Sequence, residues 1–273
     1  VKDEIAEVLK NFRGYAKGGE VSDRNGVLLF GTPGNGKSSL AEAMAAELDL
    51  PLLKVGVQDI TSKWVNDSAP EIRKLFAEAR TRPCVLFFDE FDAVAPSRSG
   101  GGGMHNEDKK VVNALLAEID RARGERIVLV AATNFPDELD PAIAREGRFD
   151  FKIELPPPDV DAREGMLSAM LTQYKLRAEP DVVRRVAELW ERRSAAFIES
   201  TVKRLRDSGK GKHACISAND FKTAARAASR RPGAMPSKGL KVSELYLPES
   251  VRTEVASLTH RLVNWEAIAE RGG

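Results

Sequence analysis

Residues 31–39, GTPGNGKSS, carry the most concentrated chemistry in the sequence. Gly31, Gly34, Gly36, Lys37 and Ser38 fit the spacing G-x-x-x-x-G-K-[ST], with the apolar run VLLF (27–30) before it and a helical pattern after it. Thr32, Pro33, Asn35 and Ser39 complete the stretch. Glycines let successive backbone N–H groups turn inward around phosphate oxygens, and the start of a helix adds partial positive charge. In such a loop Lys37 reaches the β and γ phosphates and the Ser38 hydroxyl suits Mg²⁺. The competing reading is an ordinary strand-to-helix turn, which requires neither the lysine nor the hydroxyl.

Three further groups fit the same chemistry. In VLFFDEFD, Asp89 and Glu90 follow an apolar run, at the strand end where open α/β sheets bind ligands. A carboxylate there can hold the Mg²⁺ shell, and a second can polarise an attacking water. Alone, the two acids would equally suit a strand exit; Asp92 reads as structural or solvated. Asn134 ends RIVLVAATN, where an uncharged amide can hold a γ-phosphate or a water, or simply make a turn. Arg145 and Arg148, in LDPAIAREGRFD, could meet transition-state charge on a phosphoryl group, an effect worth roughly 10³–10⁵ in rate. The alternative is a salt-bridged surface pair.

The elements that must position these groups alternate. Apolar runs at 27–30, 51–57, 84–88, 126–132 and 151–155 predict strands. Helical periods over 1–12, 40–48, 69–80 and 109–119 separate them, with Gly14–Asn25 a polar loop. Strands alternating with helices imply a parallel sheet covered on both faces. After PPP (156–158) only helical patterns follow, near 160–175, 180–192, 194–207 and 217–230. Ser194 and Ser217 are candidate N-caps. The expected division is an α/β domain over 1–155, a small helical domain over 156–231, and a linker with helical extension over 232–273. The last segment echoes the first: VRTEVASLTHRLVNWEAIAERGG resembles VKDEIAEVLKNFRGYAKGG. Either a second, similar module follows or the tail is a helical extension packed on the first domain. The opening VKDEIAEVLK reads as mid-protein helix, so the chain is expected to be an excerpt of a longer protein.

Composition narrows the class. Forty-two basic and 41 acidic residues give a formal net charge of +1, so no global attraction to nucleic acid or anionic membrane is expected. The two cysteines, Cys84 and Cys215, form neither a metal spacing nor a disulfide framework, so a reducing, cytoplasmic compartment is expected. No apolar run approaches the length of a membrane span.

Taken together and in this order, GTPGNGKSS, FFDEFD, AATN and LDPAIAREGRFD followed by IELPPPD resemble the AAA clade of AAA+ ATPases over about residues 1–230. The resemblance implies a five-stranded P-loop sheet followed by a helical lid. It implies ATP and Mg²⁺ on a Walker A motif at Gly31–Ser38, with Asp89 and Glu90 as Walker B and Asn134 as sensor 1. Arg145 and Arg148 would be arginine fingers acting on a neighbour's nucleotide, which implies a ring of identical copies, usually a hexamer. ITSKWVNDS (60–68) is similar to the first pore loop of katanin- and spastin-type members, so Lys63, Trp64 and Val65 become candidates for gripping a protein substrate. Trp64 as a core anchor is the alternative. Met104 and His105 fall where a second pore loop belongs, or in a plain surface loop. Where many relatives carry Gly-Ala near adenine, this chain has Ser194-Ala195-Ala196, small enough for the base. The adenine-contacting segment that precedes the first helix in the family has no counterpart in the sequence. None of the three histidines forms the HExxH motif of the family's proteases. The implied function is an ATP-driven motor that unfolds, threads or disassembles proteins. A nucleic-acid motor and an ATP-switched scaffold are the alternatives.

Overall fold

The computed structural model describes residues 1–56, 68–96, 106–143, 145, 147–209 and 215–229. Lys63, Trp64, Val65, Met104, His105 and the tail from 230 onward lie outside the described residues. Contacts gather Val1–Ala228 into one compact unit and leave Ser229–Gly273 as a second.

Five strands form one parallel sheet: β1 (Gly26–Phe30), β2 (Leu52–Val55), β3 (Cys84–Phe88), β4 (Ile127–Thr133) and β5 (Phe151–Glu154), in the order β2-β3-β4-β1-β5. Parallel neighbours cannot be joined by tight turns, so helices fill the connections from β1 to β2, β2 to β3 and β3 to β4, while β4 to β5 carries a single 3₁₀ turn, Pro136–Glu138, among the described residues. The helices are α1 (Lys2–Phe12), α2 (Lys37–Glu47), α3 (Ser68–Ala79), the short α4 (Phe91–Val94) and α5 (Asn106–Arg121).

Side-chain alternation along each strand divides the core in two. Leu28, Leu86, Phe88 and Leu129 pack with α3 and α5, while Val27, Leu29, Phe87 and Val130 pack with α1 and α2. Every residue of β3 and β4 is buried, as central strands require, whereas β5 at the edge alternates Phe151 and Ile153 inward with Lys152 and Glu154 outward.

Beyond Pro156–Pro158 come α6 (Val160–Gln173), α7 (Pro180–Leu189), α8 (Ala195–Asp207) and α9 (Ala218–Ser229). They enclose a third apolar core around Leu167, Val186, Trp190, Ile198, Val202 and Phe221. Two caps set their starts: Asp159 accepts from the Ala162 N–H, and Ser194 from that of Phe197.

Two boundaries depart from the sequence pattern. Helix α2 starts at Lys37, before the apolar period begins at Leu40, because the glycine turn itself sets the helical direction. The segment 14–25 is not simply a polar loop. It contains the 3₁₀ turn Tyr15–Lys17, and Tyr15 is fully buried edge-on against Phe12. The Tyr15 hydroxyl donates to the Ser22 carbonyl and accepts from the Ser22 N–H, closing the loop, and burial pushes its phenol above the ordinary range. Tyr15→Phe keeps the ring but strands both Ser22 groups. It is expected to lower stability by about 1–2 kcal/mol in urea unfolding, with the m-value unchanged.

Candidate nucleotide site

The carboxyl ends of β1, β3 and β4 meet at the start of α2. Gly36 precedes that helix with φ 89° and ψ 22°, a left-handed conformation that turns the chain from loop to helix. A side chain built there would meet no atom within 4 Å, so the space above the loop is open. Lys37 is buried, and its ammonium donates to the Gly31 carbonyl (2.7 Å), the Thr32 carbonyl (3.2 Å) and Asn134 Oδ1 (2.6 Å). Burial pulls its pKa down, opposed by the charges of Asp89 and Asp92. The lysine therefore joins the exit of β1 to the exit of β4 and brings Asn134 to the phosphate loop.

Ser38 Oγ donates to Asp89 Oδ2 at 2.9 Å, and Asp89 Oδ1 accepts from the Glu90 N–H at 3.0 Å. A hydroxyl and a carboxylate side by side at a helix start are a hard oxygen pair suited to Mg²⁺, which takes few protein ligands and completes its shell with phosphate and water. Glu90 adopts φ 51° and ψ 48°, unusual for a residue with a side chain, and precedes α4. This kink takes Glu90 out of the line of β3 and leaves it exposed at the mouth of the site.

Asp92 has a structural role. It accepts from the Thr133 hydroxyl at 2.5 Å, while that oxygen accepts from the Phe135 N–H at 2.9 Å. The β3 and β4 exits are thereby tied together on either side of Asn134. Thr133 was not singled out by its sequence position; a hydroxyl directly before the strand-end amide was the available signal.

The loop and lid enclose a cleft of about 720 Å³, within the range of small-molecule sites. Pro33, Ser39, Asp89, Glu90 and Asn134 line it from the sheet side, and Ala195 and Ala196 from the first turn of α8. The Ala196 N–H donates to the Gly34 carbonyl at 2.9 Å, so lid and phosphate loop touch directly. Apolar side chains contribute further to the wall: Met166 and Met170 from α6, Ile5 from α1, and Val1 just before it.

The two arginines differ. Arg145 is exposed. Arg148 is not a free cation: Nε and Nη2 each donate to an Asp120 carboxylate oxygen at 2.8 Å, and Nη1 donates to the Ala142 carbonyl at 2.6 Å. Arg148 precedes β5, and its carbonyl packs beside Gly26 at the start of β1. The phosphate loop lies past the far end of the same strand. Five residues at about 3.3 Å each separate the two edges by roughly 16 Å. Among the described residues, no group of three His, Cys, Asp or Glu side chains could hold a metal ion by itself, and no helix is long and apolar enough to cross a membrane.

Residues 27–157 match the family described as "ATPase family associated with various cellular activities (AAA)". The chain is 40% identical over 184 residues to the "ATP-dependent zinc metalloprotease FtsH" of Myxococcus xanthus (strain DK1622), covering 66% of this chain and 28% of that protein. It is 38% identical over 211 residues to "ATP-dependent zinc metalloprotease FtsH 4" of Sorangium cellulosum (strain So ce56), covering 75% and 32%. It is 39% identical over 188 residues to the FtsH of Caulobacter vibrioides (strain NA1000 / CB15N), covering 66% and 30%. The matched region therefore spans less than a third of the length of these relatives.

The Asp120–Arg148 pair has a measurable signature. Its hydrogen bonds from Arg148 hold the Asp120 carboxyl below the ordinary range. A depressed carboxylate stabilises the fold above its unfolded value, about 3.9, and that contribution disappears as pH falls through the folded value. The Asp120 side chain is half exposed, so the pair's coupling is expected below about 1 kcal/mol. A double-mutant cycle of Asp120→Ala and Arg148→Ala should give that coupling at pH 7 and its loss in acid.

Proposed function

Residues 27–157 are an AAA ATPase domain, and from that premise we propose that the chain binds ATP with Mg²⁺, hydrolyses it within a ring of its own copies, and uses the hydrolysis to unfold or thread protein substrates. The convergence of Lys37, Ser38, Asp89, Glu90 and Asn134 on one cleft carries the nucleotide reading.

Each residue has a defined task. The backbone N–H groups of Gly34–Ser38 and the Lys37 ammonium bind the β and γ phosphates, the lysine exchanging the loop carbonyls for phosphate oxygens. Ser38 and Asp89 would hold the Mg²⁺, which when bound neutralises charge on the phosphate oxygens. Glu90 accepts a proton from the water that attacks the γ phosphorus, and Asn134 orients that water. The bond to the bridging oxygen breaks and ADP leaves with it. The apolar wall of Ile5, Met166 and Met170, with Ala195 and Ala196, accommodates the base.

The placement of Arg148 supports the ring. At the opposite edge of the sheet from its own phosphate loop, it cannot serve that loop, whereas in a head-to-tail arrangement it can serve the next copy. Engagement requires the guanidinium to exchange the Asp120 carboxylate for phosphate oxygens. Arg145, exposed, accompanies it. We take the ring to be a hexamer, with Lys63, Trp64 and Val65 as the grip on substrate at its pore, on the cytoplasmic side where ATP is supplied. The relatives' printed names, ATP-dependent metalloproteases, support a protein substrate, while HExxH does not occur in this sequence, so unfolding rather than cleavage is assigned to it.

Glu90→Gln is expected to bind ATP as the parent does and to lower kcat by about 10²–10⁴, read as phosphate release. Arg148→Ala and Lys37→Ala should each be inactive, and mixing them should restore turnover, because some interfaces then join an intact loop to an intact arginine. Absence of restoration at any mixing ratio would remove the ring. Ser38→Ala should weaken ATP binding about tenfold with Mg²⁺ present and by much less when the ion is chelated.

A further inference from the structure

Two buried polar side chains, Asn35 and Arg163, stand at the two ends of the only covalent connection between β5 and α6. Neither side chain takes part in the chemistry above, although the Asn35 backbone N–H is among those assigned to the phosphates. Asn35 lies in the phosphate loop, and its Nδ2 donates to Thr32 Oγ1 at 2.7 Å and, across 120 residues of sequence, to the Leu155 carbonyl at 3.2 Å. The Leu155 N–H continues the sheet by donating to the Phe30 carbonyl at 2.8 Å. Leu155 is therefore bonded to the last residue of β1 through its N–H and to the phosphate loop through its carbonyl. The approach is close: a side chain built on Gly31, where φ is 134°, would come within 2.4 Å of the Leu155 oxygen. Asn35 Oδ1 is left buried without a donor. The carbonyl of Leu155 demands the amide's N–H side, and this orientation leaves the other side unmatched, a cost that would vanish if the side chain turned to water.

From Leu155 the chain enters Pro156-Pro157-Pro158. Three prolines have fixed φ and no amide to give, so the segment spans about 9 Å as a stiff rod. At its far end Arg163, only 5% exposed, donates from Nη1 to the Pro158 carbonyl at 2.6 Å and from Nε to the Ala187 carbonyl at 2.7 Å. Those two bonds lock the rod to α6 and α7 together. The Ala196 N–H bond to the Gly34 carbonyl closes the circuit on the opposite side of the loop.

We propose that Asn35 and Arg163 are positioning residues at the two ends of a proline strut that transmits displacement of the helical lid to the phosphate loop, and so couples nucleotide turnover to lid movement. The inference deepens the nucleotide reading and rests on it. A flexible connection would let the lid move without disturbing the loop. A stiff rod pinned at both ends by buried hydrogen bonds makes the two move as one, so that lid displacement changes the placement of Gly34–Lys37 around the phosphates. Neither side chain touches the reacting atoms, and each acts through backbone carbonyls.

The test uses Asn35→Ala, Arg163→Lys and their combination in the chain as it stands. Losing one buried hydrogen bond corresponds to about a tenfold change in an equilibrium. Each single variant is expected to lower kcat about tenfold, with direct ATP binding changed by no more than about threefold. A residue that only supports the fold would lower the melting temperature without this split. Because the two pins act in series, the double variant should be no slower than the worse single one; multiplication of the two effects to about a hundredfold would overturn the strut.

Amide exchange in the nucleotide-free chain gives a reading independent of hydrolysis, taken at the far end of the strut from each change. Arg163→Lys should speed exchange about tenfold at the Leu40 amide, which bonds the Gly36 carbonyl. Asn35→Ala should do the same at the Arg163 amide, which bonds the Asp159 carbonyl. Unchanged far-end exchange in both variants would overturn the proposal even if ATP is hydrolysed. Far-end acceleration in a chain that does not hydrolyse ATP would retain the strut and overturn the nucleotide reading. Should Arg163→Lys fail to fold, Asn35→Ala read at the Arg163 amide decides alone.

Discussion

A buried ammonium organises this molecule. Lys37 sits where three strands end, and it satisfies its positive charge with two carbonyls of the phosphate loop and the side-chain oxygen of Asn134. A lysine held away from water needs such acceptors, because an unpaired buried charge is far more costly than any single packing defect. The acceptors it finds are the ones that phosphate oxygens can replace. The same contact that keeps the protein's own loop ordered therefore marks the position of the ligand's charge. The neighbouring Ser38–Asp89 bond repeats this logic for a cation, with two oxygens paired to each other in a place where an ion could be shared.

The sheet supplies the rigidity that makes these contacts dependable. Its two apolar layers pack on opposite faces of the same strands, so the strand ends cannot shift separately. Asp92 and Thr133 then tie two of those ends together, and the unusual backbone of Glu90 projects a carboxylate from between them. The helical segment has a core of its own, centred on Trp190 with Phe197 and Phe221 edge-on. It meets the phosphate loop through the hydrogen bond from the Ala196 N–H to the Gly34 carbonyl and through the proline segment. Such a joint suits a part that must change its angle without losing its internal packing.

Parallel topology also separates groups that the proposed function assigns to one reaction. A loop that follows β1 and an arginine that precedes β5 fall at opposite edges, because adjacent parallel strands carry their starts on the same side. Within a single chain Arg148 meets a carboxylate and a carbonyl instead. In the proposed ring, where Arg148 serves the next copy's loop, turnover would depend on that neighbour.

Much of this was legible from residue types in order. The phosphate loop, the acids after CVLFF and the amide after RIVLVAAT are local signals, because each needs only a strand exit and the next few residues. The five strands and the later helices follow from apolar runs and periods of the same short range. Other features depended on folding across long stretches of chain. Tyr15 is buried within a segment of polar composition because Ser22 returns to its hydroxyl. Asp120 binds Arg148 from 28 residues away, and Met166, Met170 and Ile5 become one wall only when α1 and α6 are brought together. Nothing in the neighbourhood of Asn35 announces its tie to Leu155. Sequence by itself determined what each segment is and which chemistry it can perform, since dihedral preference, burial and charge act over a few residues. Tertiary structure decided which groups pair, because hydrogen-bond partners across a sheet are chosen by strand order and register, and these are properties of the whole chain.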